Sequence, residues 1–217
     1  MDYKVEKVSQ YKGQTLQVDF DGRDPIFINT SVVYDLGIRA GKMMTDEDIE
    51  RAQQRNNYRR ARERALYLLD ERDYGYVEMY RKLEANYSEE ICYEVVNNLS
   101  ELGLIDDRRY ARKCAEYFLV TKMRGKYRAR EEMRRRGIPN DLIDEALGEF
   151  EDGADDRLRE LVAKKYARRL TEENGKNKVK AALARQGFAF DEINSVLKEF
   201  EEYIEESDEY LEKSEEE

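Results

Sequence analysis

Residues 103–138 decide the fold of this chain, and they read GLIDDRRYARKCAEYFLVTKMRGKYRAREEMRRRGI. One set of side chains in this stretch follows the helical spacing i, i+4, i+7 and i+8; it consists of Ala111, Ala115, Phe118 and Leu119. Farther on, Gly137 follows a second run of helical pattern. Glycine is common just beyond the last turn of a helix because it adopts a left-handed backbone conformation at little cost. The stretch therefore predicts two consecutive helices, the second of which ends at Gly137.

The same pattern recurs at intervals of about 50 residues. The four stripe positions are occupied 50 residues earlier by Ala61, Ala65, Leu68 and Leu69. Gly137 recurs as Gly187, and in the first copy Asn86, a common substitute for glycine at such turns, takes its place. A further stripe follows each turn: Cys92, Val95, Val96 and Leu99, then Ile143, Ala146, Leu147 and Phe150, then Ile193, Val196, Leu197 and Phe200. Shared spacing predicts three copies of a three-helix unit, and the first helix of the third copy (Leu158, Val162, Tyr166) fits least well.

The first 45 residues have a different periodicity. Leu16, Val18 and Phe20 alternate with polar residues, which is typical of a half-buried strand. We expect three short strands here and then a short helix over residues 32–36. Thr45 and Asp48 have the spacing of a capping box, which predicts the start of a polar connector helix.

Together these patterns predict a mainly α fold, in which an elongated series of three tandem three-helix repeats follows a small β-rich N-terminal domain. The predicted segments are residues 1–45 for the strand-rich domain, 46–57 for the connector helix, 58–105, 106–150 and 151–204 for the three repeats, and 205–217 for an acidic tail.

The composition argues against an enzyme. None of the 217 residues is histidine, which is the commonest general base and the commonest transition-metal ligand. The sequence has no glycine-rich phosphate loop, no nucleophile elbow and no metal-ligand spacing. We therefore predict a protein that binds other macromolecules, with no catalytic residues, no metal site and no cofactor. Cys92 and Cys114 fall within helical patterns and are expected to be buried free thiols.

The net charge of -10 is unevenly distributed. Residues 191–217 contain thirteen acidic residues against two lysines, so this segment carries -11 and residues 1–190 carry about +1. One hypothesis is that the acidic tail competes with anionic ligands for the basic segments. No apolar run is long enough to span a bilayer, and the N-terminus lacks an apolar signal-peptide core, so a cytoplasmic location without membrane contact is expected.

The densest positive charge lies in residues 122–136, which hold eight cations against two glutamates. A helix that presents such charges can contact phosphates or an acidic protein groove, although an ordinary solvated face would look similar. Helical spacing allows Arg124, Arg128 and Arg135 to lie near one face, and it places Arg130 and Arg134 on another. The candidate contacts to a partner or to DNA are Lys122, Arg124, Lys126, Arg128, Arg130, Arg134 and Arg135.

Two other groups have both a structural and a functional interpretation. Asp106 and Asp107 precede a predicted helix, where they can cap its first turn, and metal binding is the alternative. Tyr74, Tyr76 and Tyr80 recur near one helix, and at that spacing packing is more common than stacking on bases.

Several elements in this order resemble the RecX family of regulatory proteins. The signature comprises Gly103, Leu104, Ile105, Asp106, Asp107, Tyr110 and Ala111, then Arg124, Gly125 and Arg128, then Met133, Gly137 and Ile138. The resemblance covers about residues 58–204, with Asn86 and the third module as the weakest matches. It implies that Gly103, Asp106, Asp107, Tyr110, Ala111, Gly125 and Gly137 form a scaffold for the cations.

The resemblance also implies a function. RecX proteins bind the RecA recombinase along the groove of its filament on single-stranded DNA and limit its ATPase, strand-exchange and co-protease activities. The expected partners are therefore the RecA filament and, directly or through it, single-stranded DNA, and the chain is expected to act as a monomer. A stand-alone nucleic-acid-binding protein with no RecA partner is the alternative, and an enzyme that uses Asp106 and Asp107 is a more distant one.

Overall fold

The chain divides into two compact units, Met1–Ile105 and Asp106–Glu217. A computed structural model describes residues 1–200. The predicted acidic tail, residues 205–217, and the last residues of the predicted third repeat lie outside the described residues.

The first unit opens with an antiparallel sheet. Its strands are β1 (Asp2–Lys12), β2 (Thr15–Phe20), β3 (Arg23–Asn29) and β4 (Met43–Thr45), in the spatial order β3-β2-β1-β4. The sequence predicted the first three. Because β4 has only three residues and pairs with the start of β1, no alternating pattern marks it in the sequence.

One face of this sheet packs on two helices, α1 (Thr30–Asp35) and α2 (Asp46–Glu71). The alternation predicted for β2 is confirmed, since Val18 and Phe20 are buried in this core. The buried Asn56 side chain ties α2 to β3: its oxygen accepts from the Asn29 backbone N–H at 2.9 Å, and its amide donates to the Phe27 carbonyl at 3.4 Å. An amide in the middle of α2 therefore satisfies backbone groups at the end of β3.

Helix α2 begins at the predicted capping box, in which the Asp48 N–H donates to Thr45 Oγ1 at 3.1 Å. It continues without a break to Glu71, so the predicted connector over residues 46–57 and the first helix of the first repeat are one element. No glycine or proline interrupts residues 46–71, and Asn56 is used for tertiary contacts instead of a turn.

Helices α3 (Tyr76–Leu83) and α4 (Glu89–Glu101) complete the first three-helix unit. The predicted stripes are confirmed, because Ala61, Ala65, Val95 and Leu99 are buried in a common core. The expectation for Asn86 is wrong. Within residues 1–200, only Met123 and Asn174 among the non-glycine residues have a positive φ. The turn after α3 closes instead through the N–H groups of Asn86 and its successor, which both donate to the Leu83 carbonyl.

The second unit begins with α5 (Asp107–Glu116), a π-helical turn (Tyr117–Thr121), α6 (Lys126–Arg135) and α7 (Asn140–Gly148). The predicted stripe of Ala111, Ala115, Phe118 and Leu119 is buried, and Gly137 has the expected left-handed φ of 81°. The predicted buried thiols are confirmed in both units, since Cys92 and Cys114 are buried and are not joined in a disulfide.

The third module contains α8 (Ala154–Lys165), the short α9 (Ala167–Leu170), α10 (Gly175–Arg185) and a helix, α11, that covers residues 190–200. Leu158 and Val162 are buried as predicted, and Gly187 has a φ of 89°. The irregular fit of this copy has a structural cause, because α8 ends at Tyr166 and the extra turn of α9 separates it from α10.

Candidate interaction surface

The signature carboxylates are part of a helix N-terminus. Asp106 is the N-cap of α5, and its Oδ1 accepts from the Arg109 backbone N–H at 3.0 Å. Asp107 lies in the first turn, where a negative charge interacts favourably with the helix dipole. In the first unit, Gly103 follows the last turn of α4 with a φ of 69°. These three scaffold residues thus occupy the cap positions that the sequence predicted.

Tyr110 and Ala111 are buried, and Tyr110 has a partner that the sequence did not reveal. The Arg136 guanidinium donates to Tyr110 Oη at 3.1 Å and to Cys114 Sγ at 3.4 Å, and it lies 5.0 Å from the centre of the Phe118 ring. Arg136 belongs to the basic run in the sequence, but it holds the end of α6 against α5. The sequence alone does not distinguish Arg136 from the neighbouring arginines, because its structural role depends on contacts with α5.

The remaining cations of α6 occupy two faces, as the helical spacing predicted. On one face, Arg128 and Arg135 both pair with Glu132, at 2.9 Å and 3.1 Å. On the other, Arg130 pairs with Asp144, and Arg134 Nε donates to Asn140 Oδ1 at 2.9 Å. Ion pairs at a protein surface contribute about 0–1 kcal/mol, so an anionic partner can displace them at little cost.

Three more candidate cations precede or begin α6. The Lys122 ammonium lies 5.2 Å from the centre of the Tyr117 ring. Lys126 pairs with Glu151, and this hydrogen bond holds the pKa of the Glu151 carboxyl below its usual value. Arg124 precedes α6, so it does not share the helical face of Arg128 and Arg135 that the spacing allowed for it. Its side chain is exposed, and no hydrogen bond or ion pair of this side chain is found within residues 1–200. The predicted set is thus divided among two faces of α6 and the segment before it.

The N-terminus of α6 is hydrogen-bonded to the turn after α10. The Gly125 N–H donates to the Gln186 carbonyl at 3.0 Å, and the Tyr127 N–H donates to the Gly187 carbonyl at 3.1 Å. A Cβ on Gly125 would lie 2.1 Å from the Gly187 carbonyl carbon, so only glycine allows this approach. Gly125 therefore joins the second and third modules, a role that its place in the signature did not reveal.

A signal for this contact was present in the sequence. Gly75, Gly125 and Gly175 are separated by 50 residues each, and each lies at the start of the second main helix of its module. At Gly175 a Cβ would also clash, at 1.8 Å from the Arg169 carbonyl oxygen. Glycine is also a favoured N-cap residue, so the signal is its recurrence at a spacing of 50 residues and not the helix start alone.

The tyrosines near α3 are used for packing. Tyr74 is buried beneath the Arg72 guanidinium, which lies 3.7 Å from its ring centre. The Tyr80 and Tyr93 rings are 4.8 Å apart, and Tyr76 Oη donates to Asn97 at 2.6 Å. These contacts agree with the structural interpretation of the three residues.

Two family models match the second unit. They describe the second three-helix domain of RecX, over residues 106–147, and the third, over residues 154–197. A regulatory protein RecX of Prosthecochloris aestuarii is 32% identical over 142 residues, which cover 65% of this chain and 93% of that protein. The chain belongs to the RecX family. Its relative in Clostridioides difficile, also called regulatory protein RecX, is 26% identical over 207 residues, 92% of this chain and 98% of that protein.

Solved RecX structures share the fold. A crystal structure of a regulatory protein RecX superposes with a TM-score of 0.67 at 22% identity and covers 90% of this chain and 99% of its own. RecX from Lactobacillus salivarius gives a TM-score of 0.61 at 24% identity, over 67% of this chain and 97% of its own. The mainly helical fold with a small N-terminal sheet is therefore the RecX fold. Within residues 1–200, no helix combines the length and the apolar character needed to cross a bilayer.

Proposed function

We propose that this chain regulates homologous recombination by binding the RecA filament on single-stranded DNA and lowering its ATPase, strand-exchange and co-protease activities. The observation that carries the proposal is membership of the RecX family, whose members are named regulatory proteins. The chain would act as a monomer in the cytoplasm, and by binding and not by catalysis. Residues 58–105 would be the first three-helix domain, ahead of the two that the family models match.

The contact would be centred on the second module. The seven candidate cations, Lys122, Arg124, Lys126, Arg128, Arg130, Arg134 and Arg135, lie within fourteen residues of one chain segment. Those that pair with a carboxylate do so at the surface, where exchange for a partner's carboxylates or for phosphates changes the free energy little. Occupation of the filament groove would then block growth or shift the filament toward an inactive conformation.

A charge-reversal variant tests this assignment. Arg124, Arg128, Arg134 and Arg135 are replaced together by Glu, and inhibition of RecA ATPase on single-stranded DNA is measured. The matched control replaces four exposed cations of the N-terminal domain, Lys4, Lys7, Lys12 and Arg39, by Glu, which gives the same change in net charge. We expect inhibition to be lost in the first variant and kept in the second. Unchanged inhibition by a folded α6 variant would contradict the assignment.

The alternative, a stand-alone nucleic-acid-binding protein, differs from a filament regulator in its affinity for bare single-stranded DNA and in the salt dependence of that affinity. Co-sedimentation with RecA is compared with binding to bare single-stranded DNA over a salt series. A filament regulator binds the RecA filament more tightly than the bare strand. A stand-alone binder binds the bare strand equally well, and its affinity falls steeply with salt because phosphate contacts release counterions.

A further inference from the structure

A mainly apolar cavity of about 260 Å³ lies within the second unit, beside the contact between the second and third modules. Its apolar lining consists of Leu119, Met123, Leu147, Phe150, Ala154 and Phe188. An apolar protein cavity of about 150 Å³ is large enough for benzene, so this one can hold an aliphatic or aromatic side chain. The role proposed above for the seven candidate cations does not require such a cavity.

Irregular backbone surrounds this cavity. The π-helical turn Tyr117–Thr121 is followed by Met123 with a φ of 49°, and the Arg124 N–H donates to the Phe118 carbonyl at 2.9 Å. Single π turns and left-handed non-glycine residues are often found at functional sites. Each is less stable than a regular α-helical conformation, so it persists only where the surrounding structure favours it. Gly125 then fixes the end of this segment against Gly187. The segment 117–125 thus contributes Leu119, Met123, Arg124 and Gly125 to the cavity lining, and its last residue is packed against the third module.

The charged groups at the cavity are engaged within the unit, with one exception. Lys126 pairs with Glu151, and Arg157 donates to the carbonyls of Phe150 and Asp152. Glu192 accepts from the Ala189 backbone N–H at 2.9 Å. Within residues 1–200, the Arg124 side chain has no such partner. The cavity therefore combines an apolar interior with one available guanidinium at its edge.

We propose that this cavity receives an apolar side chain of the partner protein, while a carboxylate on an adjacent residue of that partner pairs with Arg124. The partner segment is thus one in which Leu, Ile, Met or an aromatic residue neighbours Asp or Glu. The inference rests on the proposed function, because the partner is a protomer of the RecA filament. The lining is mainly apolar, and an apolar interior does not compensate the desolvation of a phosphate group, so a protein segment with an apolar side chain fits better than a DNA strand.

Photocrosslinking of the full chain tests the proposal. Phe188, which lines the cavity and is half-buried, is replaced by p-benzoylphenylalanine, and the variant is irradiated with RecA filaments on single-stranded DNA. Phe190 is the matched control, because it is two residues away, does not line the cavity and is 70% exposed. We expect a crosslink from position 188 to a RecA peptide that contains an apolar residue beside Asp or Glu, and much less product from position 190.

Several results would overturn the inference. If the variant co-sediments with the filament but crosslinks only to DNA, to residues 201–217 of its own chain, to a second copy or to nothing, the cavity has another occupant or none. If the unmodified chain does not co-sediment with RecA, the proposed function itself fails, and the inference fails with it. Co-sedimentation therefore separates the two failures.

A second measurement concerns the guanidinium. Arg124→Ala is expected to weaken binding to the filament about tenfold, because a charged hydrogen-bond partner is lost at a partly desolvated contact. Arg112→Ala is the matched control: Arg112 is exposed on α5, pairs with Glu149 and does not line the cavity, so less than a twofold change is expected. Equal effects of the two substitutions would contradict the assignment of Arg124.

Discussion

The first and second three-helix modules have the same pattern of buried residues, but the exposed side chains of their second helices differ. In the first, α3 presents Tyr76 and Tyr80, which are engaged with Asn97 and Tyr93 of α4. In the second, α6 presents arginines that are held mainly in surface ion pairs. The buried stripes of the two units are alike, so the repeat determines the core. What differs is the exposed surface, which in the second module carries the arginines that we propose as contacts to an anionic partner.

The largest expected effect concerns Gly125, the residue at the start of α6 that is packed against the backbone of Gly187. In Gly125→Ala the new Cβ would meet the Gly187 backbone at 2.1 Å, although the backbone angles of Gly125 suit any residue. We expect a loss of unfolding free energy of about 3 kcal/mol, typical of a severe steric conflict with backbone. Urea unfolding measures this loss.

The control for this substitution is Gly148→Ala. Gly148 is the last residue of α7, and a Cβ there would meet no atom within 4 Å. Because alanine is the better helix former, this change should leave the stability unchanged or raise it by up to about 1 kcal/mol. Equal unfolding midpoints for the two variants would show that the modules are not in close contact at Gly125.

The next effect separates two adjacent arginines. Arg136→Ala removes the bonds to Tyr110 and Cys114 and should cost about 1–3 kcal/mol of unfolding free energy. Arg135→Ala should cost less than about 0.5 kcal/mol, since its ion pair with Glu132 is exposed. Binding to the RecA filament should show the reverse order when it is measured below the unfolding transition. The same order in both measurements would mean that Arg136 is also a contact residue.

A smaller effect compares the helix caps of the two units. Asp106→Ala removes the cap of α5 and should cost about 1 kcal/mol, and Asp106→Asn should restore most of it. Ser88 is the N-cap of α4, but its side chain accepts no cap hydrogen bond, so Ser88→Ala should cost only a few tenths of a kcal/mol. Thermal unfolding of the three variants measures these losses of stability. A loss in Ser88→Ala as large as that in Asp106→Ala would contradict the predicted order.

The smallest expected effect is a change in the pKa of the Glu151 carboxyl. Lys126 holds the pKa of the Glu151 carboxyl below its usual value, so this pair favours the folded state above the unfolded pKa and loses its effect as the pH falls through the folded pKa. In Lys126→Met the pKa of Glu151 should rise toward the ordinary range of glutamate, as followed by NMR. An unchanged pKa would mean that another group stabilises the carboxylate.

Much of the fold could be predicted because its determinants are local. Helical stripes, the turn glycines Gly137 and Gly187 and the cap at Asp106 each depend on residues within a few positions of one another. The features that the sequence did not reveal are set by distant partners. The use of Asn56 to join α2 to β3 depends on Asn29 and Phe27, and the structural role of Arg136 depends on α5. For the same reason, the role of the seven candidate cations remains a prediction, whereas the separate faces of Arg128 and Arg135 and of Arg130 and Arg134 could be derived from spacing.

The hydrogen bonds between Gly125 and Tyr127 at one end and Gln186 and Gly187 at the other have an electrostatic consequence. The turn after α10 carries the negative end of a helix dipole, and the start of α6 carries the positive end of another. The two helices are joined through their peptide groups, and two of the N–H groups that would attract anions at the start of α6, those of Gly125 and Tyr127, are already used. An anion that approaches this module is thereby directed to the side chains of α6 and to Arg124, and not to the helix terminus.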